Sequence, residues 1–248
     1  MGRNAPRRSP LSHGGEFATT HWSQVLAVGQ HDAARAADAL EQLCRTYWRP
    51  LYAYVRRRGY PQDAAEDLTQ EFFARLLAGD YLARADPHKG RFRSFLLTGI
   101  KYLLADEQDK AHRLKRGGGV QTVSLDVESA ESRYRMEPAD TLTPERVFER
   151  AWVATVLERA ADRLREEYAA AGQAALYAQL TEFRLDSQDQ RAYAEVGTQS
   201  GLSASAVKSA IRRLRVRHQC LVRDEVAGTV ADPADVNDEI RHLLQVVL

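Results

Sequence analysis

The stretch LSASAVKSAIRRLRVRHQ, residues 202–219, holds one lysine and four arginines and no acid. Within it Ser205, Lys208, Ser209 and Arg212 fall at helical spacing, so one side of a helix carries short hydroxyls followed by long cations. That order suits a DNA major groove. Arginine can meet guanine O6 and N7 with two parallel bonds, while lysine and arginine neutralise flanking phosphates. The competing reading is a solvated helix whose arginines pair with an acidic neighbour. A second candidate has the opposite sign. PQDAAEDLTQE, residues 61–71, has four acids and no base. Asp63, Glu66, Asp67, Gln70 and Glu71 fall on the side away from Leu68, Phe72 and Leu76. Such a face repels DNA and offers a docking surface to a basic protein, unless it is only a solvated helix surface.

Enzymatic chemistry finds little footing. The seven histidines are scattered, with no His-Glu-x-x-His or Cys-x-x-Cys spacing for a metal. KRGGGVQT, residues 115–122, is glycine-rich but lacks the Gly-Lys-Ser/Thr ending of a phosphate loop. Asp106, Glu107 and Asp109 read as helix-surface charges. No catalytic residue, metal site or cofactor is expected.

The whole chain of 248 residues is nearly neutral, with a formal net charge of +1, so the polarity lies between segments. The stretch from Asp224 to Glu239 is acidic again, with six carboxylates and no base. Alternating charge points to different partners for different segments. No apolar run approaches the roughly 18 residues of a membrane span. The opening MGRNAPRRSPLSHGG is basic and turn-rich without an apolar segment, so residues 1–18 read as a disordered leader rather than a signal peptide. Cys44 and Cys220 read as unpaired thiols of a reducing cytoplasm.

The elements that must position these residues are helices. Apolar residues recur at spacings of three and four: Leu40, Leu43 and Tyr47, then Leu51, Tyr54 and Val55, then Leu68, Phe72 and Leu76. Pro50, the Gly59–Pro61 turn and Gly79 punctuate this run. Phe92, Phe95, Leu96, Ile100, Leu103 and Leu104 mark a further helix, stopped by three glycines after RLKR. Residues 117–143 lack periodicity and read as a polar linker. Thr143 and Pro144 then start a new helix as N-cap and first residue. Further on, Tyr193 and Val196 point inward from a short helix, Gly201 permits a tight turn and Leu202 plugs it. Ser203 caps a second helix with Val207, Ile211 and Leu214 on one face: the pattern of a helix-turn-helix. In the tail, Val236, Ile240, Leu243, Leu244 and Val247 have helical spacing. The expectation is an all-α fold of two small helical domains, 19–116 and 144–227, joined by the linker. A C-terminal extension, 228–248, adds an amphipathic helix that packs on the second domain and tunes its access to DNA.

Three quoted stretches, in order, carry a family resemblance: AEDLTQEFFARLL, GRFRSFLLTGIKYLLADEQDKAHRLKRGG and YAEVGTQSGLSASAVKSAIRRLR. With LEQLCRTYWRPLYAYVRRRG before them, the sequence resembles bacterial RNA polymerase sigma factors of the extracytoplasmic-function type over roughly residues 35–116 and 144–225. The resemblance implies a transcription initiation factor. Asp63, Glu66, Asp67, Gln70 and Glu71 would bind core RNA polymerase. Arg93, Lys101, Tyr102, Arg113, Lys115 and Arg116 would meet the −10 element of promoter DNA as a single strand. Ser203, Ser205, Lys208, Ser209, Arg212 and Arg213 would read the −35 element as duplex. An anti-sigma or other regulatory protein is a further partner the resemblance admits. Three features depart from the family: a long connection over about 166–191, the N-terminal leader and the C-terminal tail. A helix-turn-helix regulator that never joins polymerase is the alternative.

Overall fold

The computed structural model describes residues 33–78, 91–113, 131, 142–181, 190–230 and 232–247. Among the described residues the fold is all-α, with no strand. The leader, most of the linker, Lys115 and Arg116 lie outside these residues.

Helix α1 (Ala33–Arg57) carries Tyr47, Leu51, Tyr54 and Val55 on one buried stripe and ends on Arg56 and Arg57, cations suited to a helix C-terminus. Gly59, at φ 94°, turns the chain into α2 (Gln62–Leu77). Helix α3 (Phe92–Arg113) closes on these two with Phe92, Leu96, Ile100, Leu103 and Leu104. The ring of Tyr47 meets Phe92 edge-on, with centroids 5.4 Å apart.

Helix α4 (Pro144–Ala170) starts as its sequence predicts: the Thr143 hydroxyl accepts from the Arg146 amide at 3.3 Å, with proline in the first turn. Its length lets it serve two sets of neighbours. Phe148, Trp152, Val153 and Val156 join the core of α1, α2 and α3. Ala160 and Leu164, a few turns on, pack with Leu221 of a later helix. Gly172, at φ 71°, turns the chain into α5 (Ala174–Thr181). Helix α5 accounts for part of the long connection seen in the sequence, and its Leu180 is buried with Val207, Ala210 and Ile211.

Helices α6 (Gln190–Ser200) and α7 (Ala204–Ala227) meet at the turn Gly201–Ser203. Gly201 adopts φ 69°, as the turn requires. The Leu202 amide donates to the Gly197 carbonyl at 2.9 Å. Leu202 does not plug the junction as its apolar character predicts. Leu202 is 36% exposed and stands outside the buried cluster, against which Tyr193, Val196 and Leu214 pack.

After a 3-10 turn, Pro233–Asp235, comes α8 (Val236–Val247). Val236 and Leu243 are buried and Ile240 packs against the same core, whereas Leu244 is 53% exposed. Residues 236, 240 and 243 share one side of a helix, and 244 is rotated away from it. Helix α8 seats on α4 and α7 and also reaches α3. The first half of α4, the end of α7 and α8 therefore join the core of α1 to α3, running from Tyr47 through Trp152 to Leu243, while Leu180, Val207, Ala210 and Ile211 form a cluster of their own.

Candidate nucleic-acid and protein interfaces

The acidic side of α2 is turned to solvent. Asp63 and Asp67 are exposed and carry no ion pair among the described residues. Glu66 accepts from Gln70 Nε2 at 3.1 Å, a neutral donor that leaves the charge uncompensated. Partial burial, then the nearby Asp67 and Asp63 carboxylates, push the Glu66 pKa up. Glu71 differs: Arg75 pairs with it and lies 3.9 Å from Asp106. The sequence-predicted face thus has a negative centre at 63, 66 and 67, with a partly neutralised edge at 71. It can attract a basic protein surface and cannot approach DNA.

The residues assigned to α3 separate. Tyr102 stands 70% exposed, free to stack on a planar group. Lys101 lies beside it, 2.8 Å from Glu145 of α4; its hydrogen bond holds the Glu145 carboxyl below the usual range. Arg113 is the last residue of the helix. Arg93 is placed very differently from Lys101 and Tyr102: it is 6% exposed, with its guanidinium 5.1 Å above the Trp152 ring. Its Nε is 2.8 Å from a Glu239 oxygen, and its NH1 is 3.6 Å from Glu149. In this arrangement Arg93 cannot touch a strand. Arg91, which the sequence reading passed over, reaches the same Glu239 carboxylate at 2.9 Å.

The cationic side of α7 is exposed. Ser203 caps the helix, its hydroxyl accepting from the Ala206 amide at 3.2 Å, and lies 3.0 Å from the Ser205 hydroxyl. Ser205, Lys208, Ser209, Arg212 and Arg213 are all exposed, and the three cations have no ion pair among the described residues. The acidic-neighbour reading applies only further along. Arg217 makes a two-pronged contact with Glu167 at 2.6 and 2.8 Å, which lowers the Glu167 pKa. Arg159 and Arg163 grip Glu225 from α4, each at 2.8 Å. Helix α8 also keeps to the far end of α7, where Arg223 donates to Asn237 at 2.7 Å. The tail does not cover the face that begins at Ser203.

One contact was invisible in the sequence. Glu131, from the polar linker, is buried against α1. It accepts from the Tyr52 hydroxyl at 2.6 Å, and Arg56 donates to its two oxygens, each at 3.0 Å. Nothing local distinguishes this glutamate from the other acids of the linker, because its partners are 75 and 79 positions away.

Among the described residues no group of His, Cys, Asp and Glu could hold a metal ion, and no helix is long and apolar enough to cross a membrane. Residues 43–114 match the family model described as Sigma-70 region 2. The matched segment runs from within α1 to just past α3 and so contains both the acidic face and Tyr102. No curated protein and no solved structure matches the chain.

Proposed function

We propose that this chain is a transcription initiation factor of the sigma-70 family, of the extracytoplasmic-function type. It binds core RNA polymerase and directs it to promoters through −10 and −35 elements, acting in the cytoplasm and without chemistry of its own. The observation that carries this reading is the Sigma-70 region 2 match over residues 43–114, falling on the helices that bear the exposed acidic face.

Each site then has a physical task. The carboxylates of Asp63, Glu66 and Asp67, with Gln70 and Glu71 at the edge, meet a basic surface of polymerase, where their mutual repulsion is relieved. Tyr102 stacks on an unpaired base, and Lys101, Arg113, Lys115 and Arg116 follow the strand's phosphates, whereas Arg93, enclosed against Glu239, does not reach them in this arrangement. An exposed pair such as Lys101–Glu145 costs little to exchange for a phosphate. Ser203, Ser205, Lys208, Ser209, Arg212 and Arg213 enter the duplex groove at the −35 element. The long polar segment 117–143 links the two DNA-reading units. An anti-sigma or other regulatory protein would compete for these same charged faces.

The uncovered cationic side of α7 would equally serve a regulator that never joins polymerase. Titration of labelled protein with bacterial core RNA polymerase separates the two readings. The sigma reading predicts tight binding that Asp67→Arg weakens by about tenfold or more. Absence of binding by the wild-type chain would leave the DNA-binding regulator.

A further inference from the structure

Arg91 and Arg93 flank the first residue of α3, and both guanidinium groups converge on one carboxylate. Arg91 Nε lies 2.9 Å from Glu239 Oε2. Arg93 Nε lies 2.8 Å from Oε1, and its NH2 donates to Oε2 at 3.3 Å. Glu239 is 1% exposed. A carboxylate and a phosphate diester present guanidinium groups with the same features: two oxygens sharing one negative charge, taken up by parallel donors. The start of a helix adds its own preference for an anion. What Glu239 occupies has the chemistry of a phosphate seat.

The occupant is imperfectly held. Arg93 Nε and NH1 are buried without a hydrogen-bond partner, although oxygens of Glu239 and Glu149 lie 2.8 and 3.6 Å away. They are near enough for attraction and misaligned for donation. Helix α8 has 12 residues, too short to be stable by itself in water. Beyond Glu239 it holds by Val236 and Leu243, by the half-buried Ile240 and Val246, and by surface bonds such as Arg223 to Asn237. Its remaining side, with Asp238, Arg241 and Leu244, faces solvent.

We propose that Arg91 and Arg93 form a phosphate seat for single-stranded nucleic acid, that Glu239 fills it in cis, and that α8 is a latch which leaves when the strand arrives. The proposal rests on reading α3 as the strand-binding helix; it adds Arg91 to that helix and an occupant to its seat. While the latch is shut, apparent strand affinity is the intrinsic affinity reduced by the small open fraction. Loosening the latch must then raise strand affinity without any new contact to DNA.

Glu239→Gln keeps the shape and removes the charge, and Leu243→Ala loosens the same helix without touching a guanidinium. Amide hydrogen exchange is measured on the full chain, together with anisotropy of a fluorescein-labelled single-stranded oligonucleotide of mixed sequence. The latch predicts that both variants speed exchange in α8 and the first turn of α3 by about tenfold or more, the other helices holding, with strand affinity rising in step. Faster exchange at unchanged strand affinity would overturn the strand-seat assignment while upholding the release of α8. Unchanged exchange in α8 would overturn the latch. So would a uniform rise across all helices, because α8 would then be ordinary core.

Discussion

Gly197 has no room for a side chain: a β-carbon built there would lie 2.6 Å from the Leu202 carbonyl oxygen, which is backbone and cannot swing away. Gly197→Ala should therefore force α6 and α7 apart and lower stability by about 1–3 kcal/mol, read from urea midpoints. Ser203→Ala removes one cap and should cost about 1 kcal/mol. The thiols should also divide. Burial, reinforced by Glu41, pushes the Cys44 thiol up to about 12, whereas Cys220 is exposed. A thiol reagent at neutral pH should find one fast and one slow cysteine, and two equally fast reactions would contradict the packing around α1. The caps at Thr143 and Ser203 were legible in the sequence because capping is local. Gly197 was not, because its neighbour arrives only when the turn closes. Arg93 reads as a surface cation because its partner is 146 residues away and charge pattern carries no such information.

At the scale of the element, α2 carries charge that its own fold does not use. Asp63 and Asp67 are one turn apart on an exposed surface, a spacing at which like charges destabilise a helix by about 0.2–0.5 kcal/mol. Asp67→Asn should therefore leave stability unchanged or raise it by that amount while lowering polymerase affinity. A loss of stability would mean that the face is structural. The junction of α4 and α7 behaves in the opposite way. Burial pushes the Glu225 pKa up, but hydrogen bonds from Arg159 and Arg163 outweigh it, and the net shift is downward. A carboxyl with a depressed folded pKa stabilises the fold above its unfolded value, and the gain is lost as pH falls through the folded one. Urea midpoints should thus drop as pH passes below about 4.5, and Glu225→Gln should flatten that drop. Helix periodicity made α1, α2 and α3 readable, since most of their apolar stripes are the buried ones. In the tail Leu244, apolar and at helical spacing, is 53% exposed, while the side chain of Val247 lies outside those described.

For the molecule as a whole, the sequence reading expects two domains and a linker; among the described residues the first half of α4, the end of α7 and α8 share a core with α1 to α3, while α5, α6 and the start of α7 pack in a cluster of their own. Polar composition marks residues 117–143 as a connection, but it cannot reveal that Glu131 returns to Tyr52 and Arg56. Nor does periodicity say that the first half of α4 faces α1 while its second half faces α7. A core that takes in Phe148, Trp152, Val153 and Val156 of α4 beside Tyr47 and Phe72 predicts that α1 to α4 melt together. Calorimetry should give one main transition for α1 to α4, and separate melting of α1–α3 from α4 would contradict the shared core.

The proposed function is that of a factor that acts with polymerase and not alone. The direct test combines core RNA polymerase, a fragmented bacterial genome as template and the purified chain, and maps transcript 5′ ends with and without it. The account predicts starts that depend on the chain and share two upstream elements at fixed spacing. They should be lost with Asp67→Arg and with Lys208→Ala plus Arg212→Ala. The same set of starts with and without the chain would contradict it.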